Sequence, residues 1–325
     1  RVVKNDTVIN TTTTDSSGNY SIDAPENSRL EVIVENFTYD SGSKTFYGST
    51  VQDLGSNFSS SVDVAFTEPS SSVTVNGSSL FIANESYNGM KTIGSVEQLQ
   101  AIKDDLSADY MLLNDIDASD TSSWNSGSGF EPIGIFTGTL NGNNHTVSNL
   151  YIDRPGTTEI GLVGYMRNSA TVEDITVEGD ITGDGDVGGV IGYASDSTVK
   201  NTSFDGNVTG NSDDVGGLIG YNNSGSITDS YSEGTVTGSG ENTGGLVGYN
   251  NGNSIVRSHS TSNVTGNGYL GGLVGFSRGS ITNSYATGTV SETGSTGYVG
   301  GFVGFFQGSD INTSYSVGSV SGNGS

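Results

Sequence analysis

The chain has 325 residues, with 50 Gly, 15 Tyr, 12 Phe, four Pro and no Cys, and a net charge of −25 from 36 acidic and 11 basic side chains. Such a surface repels phosphate backbones and anionic lipid, which excludes nucleic acid and an anionic membrane surface as main partners. The aromatic content excludes a disordered chain and the few prolines exclude a collagen-like one, which leaves a glycine-rich, all-β protein.

The excess of carboxylates over basic groups fits a protein kept soluble at high salt, as in a halophilic archaeon, or one that binds divalent cations. Without Cys, disulfides give no sign of the redox compartment. No signal peptide, lipidation motif or apolar run of about 20 residues occurs, so no membrane span is expected in this chain. It reads as a processed or partial chain whose anchor lies outside it.

In chain order, residues 1–75 come first. "TDSSGNYSIDAP" (14–25) and "RLEVIVENFTY" (29–39) alternate apolar and polar residues between turn residues, which predicts a small antiparallel β-sandwich. Residues 76–93 form the linker, entered through "EPSSSVTVNGSS" (68–79). Next, Ser95 with Gln98 three positions on makes a capping box, and Val96, Leu99, Ile102 and Leu106 fall on one helical face. A helix over about 96–106 is predicted to cover the open end of whatever follows, since an uncovered strand edge invites aggregation. "FTGTLNGNNHTVSNLYI" then supplies the first coils, with "NGNN" (141–144) as a turn between two strands.

From residue 160 the chain repeats itself. "IGLVGY", "GGVIGY", "GGLIGY", "GGLVGY", "GGLVGF" and "GGFVGF" end on Tyr165, Tyr193, Tyr221, Tyr249, Phe276 and Phe305, at spacings of 28, 28, 28, 27 and 29. A fixed period of this size signals a solenoid. Each period holds three short β-type pieces bounded by Gly, Asn, Asp or Ser, which suits one coil of a parallel β-helix, expected to be right-handed. About eight coils at ~4.8 Å each make a rod of about 40 Å.

In such a rod equivalent positions stack. Three inward aliphatic columns are predicted: Ile181, Val208, Val236, Val264, Val290 and Val320; Val172, Val199, Ile227, Ile255, Ile281 and Ile311; and Leu162, Val190, Leu218, Leu246, Leu273 and Phe302. The six repeat-ending aromatics are expected to point inward and close each coil.

"GGLVGY" followed by an Asn/Ser-rich strand resembles the GLUG repeat. Such repeats occur in large bacterial and archaeal surface proteins, including adhesins and the non-catalytic parts of IgA-cleaving metallopeptidases. "SVEQLQAIKDDLSADYMLLNDID" (95–117) and "FEPIGIFTGTLNGNNHTVSNLYI" (130–152) resemble the segment that precedes such arrays. The resemblance implies a GLUG-type β-helix over 94–325. The 1–75 stretch resembles the carboxypeptidase regulatory-like sandwich, with its first strand missing.

Candidate sites are few. His145 and His259 do not form HExxH, and there is no Cys and no GxSxG, so neither metallopeptidase nor nucleophilic chemistry has support. Asp174 and Asp229 fall at one repeat position two coils apart, where other coils hold Asn201, Arg257, Asn283 and Thr313; this reads as a polar face, not an acid/base pair. Asp184, Asp186, Asp213 and Asp214 fall at one corner of adjacent coils, where four carboxylates would hold Ca²⁺ or stay solvated as turn residues. No other cofactor is expected. Tyr231, Tyr285 and Tyr315, with His259 at the same ladder position, make a stripe that either binds sugar rings or a partner, or packs coil on coil. Sequons place candidate glycans on Asn5, Asn10, Asn19, Asn36, Asn57, Asn76, Asn84, Asn144, Asn201, Asn207, Asn222, Asn263, Asn312 and Asn323.

The expected function is that of a non-enzymatic, extracellular surface protein, an adhesin or projecting stalk, which binds other surface proteins or glycans through the side of the β-helix. A structural subunit that polymerises with itself into a filament or sheath is the alternative. A carbohydrate-active β-helix enzyme and a viral fibre are the remaining readings.

Overall fold

The computed structural model describes residues 89–294 and 297–322 in full, and within residues 1–88 only the backbones of paired strands. The chain divides into two compact units, Arg1–Ser95 and Val96–Ser325. In the first, Val2–Lys4, Thr7–Asn10, Arg29–Ile33 and Ser49–Asp53 pair as an antiparallel sheet. Phe37–Tyr39 with Gly42–Lys44, and Asp63–Thr67 with Ser72–Asn76, form two hairpins. The expected sandwich and most of the linker lie largely outside the described residues.

The second unit is a parallel β-solenoid of eight coils, read from the ladder that begins at Tyr110–Leu112 and ends at Val320–Ser321. Each coil hydrogen-bonds only to the coils below and above it. Three ladders join the coils, two of them along nearly the whole unit and the third over five strands. The widest passes through Thr139–Asp153, Thr171–Gly183, Thr198–Gly210 and their successors. A second passes through Val163–Met166, Ile191–Ser195, Ile219–Asn223 and Val247–Asn251. A short third passes through Val187–Gly188, Asp214–Gly216, Asn242–Gly244 and Tyr269–Gly271.

The predicted columns form. Ile181, Val208, Val236, Val264, Val290 and Val320 are register partners in unbroken succession. So are Val172, Val199, Ile227, Ile255, Ile281 and Ile311. In the third column the main chain links coil to coil, from Val190 N–H to Leu218 O at 3.1 Å and from Leu218 N–H to Leu246 O at 2.9 Å. Leu162, Val190, Leu218, Leu246 and Leu273 are fully buried. Like letters recur because each side chain must fit the one directly above it, at the strand spacing.

The helix is shorter than its apolar periodicity suggests: α over Val96–Gln100, then 3₁₀ over Ala101–Asp104. Leu99 and Ile102 are nonetheless fully buried. Gln100 exchanges two 2.8 Å hydrogen bonds with the backbone of Glu131, and Lys103 Nζ lies 2.7 Å from Glu131 Oε2, which pins the helix to the first full coil.

Two expectations are corrected. "NGNN" is not a hairpin turn: Thr139–Asp153 runs on in parallel with Thr171–Gly183, and Asn143 and Asn144, at φ 51° and 60°, make a corner within one coil. Five of the six repeat-ending aromatics do not close the core; the sixth, Phe276, is buried, at 8% exposure. Tyr165, Tyr193, Tyr221, Tyr249 and Phe305 are half-buried, and the fully buried position is the next one, occupied by Met166, Ala194, Asn222, Asn250 and Ser277. A Cβ at Gly248 would sit 2.5 Å from the Val215 nitrogen and 2.8 Å from the Asp214 carbonyl carbon. Two backbones therefore meet where a side chain would otherwise point inward, and the aromatic is displaced to the rim.

Candidate functional site

The solenoid presents three built features on its flanks. The first is the corner occupied by Asp174, Asn201, Asp229, Arg257, Asn283 and Thr313, all with φ between 46° and 53°. Left-handed backbone turns the chain there, which favours Asn and Asp and is costly for Thr. Asn201 Nδ2 donates to Asp174 Oδ1 at 2.8 Å, and Arg257 holds Asp229 through Nε and Nη2, each 2.6 Å from a carboxylate oxygen. The guanidinium holds the Asp229 carboxyl below the usual range. Asp174 and Asp229 are thus corner residues bonded to the coil above, with Asn201 between them.

Behind this corner runs a ladder that sequence reasoning missed. Thr202, Ser230, Ser258 and Ser284 are buried. Ser230 Oγ accepts the Thr202 N–H, Ser258 Oγ the Ser230 N–H, and Ser284 Oγ the Ser258 N–H, each at 3.2 Å. Each serine hydroxyl also donates to the carbonyl two residues back, at 2.8–3.0 Å. The available signal was the serine that precedes every stripe aromatic in "DSY", "RSH", "NSY" and "TSY".

The second feature is the stripe itself. Tyr231, His259, Tyr285 and Tyr315 stack with centroids 5.0, 4.5 and 5.4 Å apart and planes within 10° of parallel. Tyr231 and Tyr315 are 37% and 56% exposed. The stripe is both outward and packed coil on coil, and His259 and Tyr285 are stacked on both ring faces. Burial lowers the His259 pKa. His145 lies elsewhere, with Nδ1 3.1 Å from Asp115 Oδ1.

The third feature is a row of carboxylates beside a row of glycines. Glu178, Asp205 and Glu233 are register partners on successive coils and all exposed. Beside them run Gly179, Gly206 and Gly234, then Asp180, Asn207 and Thr235. A Cβ on Gly206 would lie 2.0 Å from the Gly179 carbonyl oxygen, so the glycine row stays free of side chains. Asn207 Nδ2 donates to Asp180 Oδ1 at 2.7 Å, which leaves the Glu178–Asp205–Glu233 wall as the set of open acceptors. At the lower end of the row lies a concavity of about 500 Å³ lined by Ser119, Ser122, Asn149, Leu150, Tyr151, Glu178, Gly179, Asp180 and Gly206. A carboxylate wall, hydroxyls, an amide and a tyrosine can accept and donate to a hydroxyl-rich ligand, and they repel an anionic one.

The four aspartates at the turn separate. Asp184 Oδ1 accepts from Ser212 Oγ at 2.5 Å, and Asp213 is exposed at φ 48°. Asp186 and Asp214 stay together on the short ladder, beside the Tyr193–Tyr221 stack, whose centroids are 4.8 Å apart. Burial first, and then the Asp214 charge, pushes the Asp186 pKa up to about 8; burial pushes Asp214 to about 7. Among the described residues no three acidic or imidazole side chains converge as a metal cluster.

Of the sequons, Asn144, Asn201, Asn207, Asn263 and Asn312 are exposed. Asn222 is fully buried, with its amide bonded to Gly225 O at 2.8 Å and Asn250 Oδ1 at 2.7 Å, a position closed to a glycan. Asn5, Asn10, Asn19, Asn36, Asn57, Asn76, Asn84 and Asn323 have side chains outside the described residues.

Residues 211–237 and 266–291 match the family described as the GLUG motif. Each matched stretch is about one coil long. Halomucin of Haloquadratum walsbyi is 45% identical to this chain over 130 residues, which cover 37% of this chain and 1% of that protein. The chain thus matches about 1% of the length of this curated relative. A solved structure, IgA1 Protease, superposes with a TM-score of 0.52 at 18% identity, over 91% of this chain and 28% of the other; at that identity the likeness is one of fold alone. No helix among the described residues is long and apolar enough to cross a membrane.

Proposed function

We propose that this chain is a stalk-like part of an extracellular surface protein and that its GLUG solenoid binds neutral, hydroxyl-rich glycans along one flank. The carboxylate row of Glu178, Asp205 and Glu233 carries the reading, because a side-chain-free row of glycines beside open acceptors at strand spacing fits repeated sugar hydroxyls. The likeness to Halomucin and the GLUG repeats support a surface location. The stripe at Tyr231, Tyr285 and Tyr315 is a poor stacking platform, since its rings cover one another; it contributes hydroxyl contacts at most. Immunogold labelling of intact cells and a glycan array probed with the full chain test the proposal. Surface label and retention of uncharged glycans are expected; label confined to the cell interior would overturn it.

A further inference from the structure

We infer that Asp186, Asp214 and Asn242 form a binding site for one hard divalent cation, of which Ca²⁺ is the probe. The three residues sit one above another on the short ladder. Val187 pairs with Val215, which puts Asp186 beneath Asp214, and Asp214 pairs directly with Asn242. Neighbours on such a ladder are ~4.8 Å apart, close enough for one ion to touch two of them.

Asp214 and Asn242 are 7% and 6% exposed. Burying a carboxylate is costly unless it is paired, and the charges that weigh most on this pair make matters worse. Asp186 faces Asp214, Asp213 and Glu159; Asp214 faces Asp213 and Glu241; all are acidic. Asn242 Nδ2 donates to Asp214 Oδ1 at 2.5 Å, and nothing donates to Asn242 Oδ1, a buried acceptor in the same cluster. Turning the amide over does not help. It would give up the hydrogen bond to Asp214 Oδ1. The cluster thus offers two carboxylates and an unpartnered amide oxygen, and the charges that weigh on it are all acidic.

The donor set selects the class of ion. Two carboxylates and one amide oxygen are hard ligands, which suit Ca²⁺ and not a thiolate- or imidazole-seeking metal. Because three acids do not converge, water must complete the shell, and the affinity expected is that of a weak, millimolar extracellular site.

The test is isothermal titration and calorimetric melting of the full chain, with chelator as baseline and Ca²⁺ as titrant. Ca²⁺ is expected to bind with one dominant stoichiometric event and to raise the melting temperature. Asp214→Asn is expected to abolish both responses, and to melt higher than the parent in chelator because it removes a buried charge. Asn242→Asp adds a third carboxylate and is expected to tighten Ca²⁺ binding about tenfold. Asp184→Asn, whose carboxylate is already taken by Ser212, is expected to leave binding unchanged. No heat and no melting shift in the parent chain would overturn the site and leave the pair sharing a proton. A Ca²⁺ response that survives in both Asp214→Asn and Asp186→Asn would place the ion elsewhere and overturn it equally.

Discussion

Ser258 Oγ accepts the backbone N–H of Ser230 from the coil below at 3.2 Å and donates to Val256 O in its own coil at 3.0 Å. One hydroxyl therefore supplies the acceptor for the Ser230 N–H and shares Val256 O with the Asp229 N–H, which reaches it at 3.1 Å. Removing it in Ser258→Ala leaves a buried N–H without an acceptor, at a cost of about 1–3 kcal/mol. Chemical denaturation of the variant should show that loss with an unchanged m-value; no loss would mean that water replaces the hydroxyl.

Thr243 stands in a column with Val187, Val215, Leu270 and Val299, is fully buried, and its Oγ1 has no hydrogen-bond partner. Thr243→Val keeps the shape and deletes the orphan group. It should stabilise the solenoid by about 1 kcal/mol in thermal melting. A destabilised variant would show that the hydroxyl is bonded after all.

Gly248 and Gly156 separate close approach from mere flexibility. A Cβ at Gly248 meets the Val215 nitrogen at 2.5 Å and the Gly220 oxygen at 2.7 Å, whereas one at Gly156 meets nothing within 4 Å. Gly248→Ala should cost about 3 kcal/mol or more, and Gly156→Ala should stay within about 0.5 kcal/mol of the parent. Equal effects in a paired melt would contradict the contact between the two ladders.

Much of this architecture is legible in the sequence. Ile181 to Val320 can be aligned by eye because the period hardly varies and each side chain must match its neighbour above. The Glu178–Asp205–Glu233 wall is harder to see, since the same rung position holds Glu, Asp and, one coil later, Thr261, so no single letter recurs. Asp186 and Asp214 are separated from Asp184 and Asp213 by a turn whose detail depends on a left-handed residue at Asp213. Periodicity places residues on a rung; it does not say on which side of a corner they emerge. The rim position of Tyr193 and Tyr221 is hidden for a related reason, because backbone-to-backbone packing at the neighbouring glycines overrides the tendency of aromatics to be buried.

Asp186 and Asp214 give the metal-free chain a characteristic pH response. Their folded-state pKa values, about 8 and about 7, lie above the ordinary carboxylate value of 3.8, so the native state holds protons that the unfolded chain releases. That contribution is fully present below about pH 4 and is lost as pH rises through about 7 and 8. Melting in chelator should therefore fall between pH 5 and pH 8, and the double variant Asp186→Asn/Asp214→Asn should flatten the profile. A melting temperature that rises across this window would contradict the burial of the pair.

Binding of uncharged glycans to the full chain, compared with the triple variant Glu178→Gln/Asp205→Asn/Glu233→Gln, tests the central claim most directly. All three positions are exposed, so the variant should fold as the parent does, and circular dichroism can verify it. The account predicts that the parent retains neutral glycans and that the variant loses most of that binding while its melting is unchanged. Equal retention by both proteins, or retention by neither, would contradict a carbohydrate-binding flank.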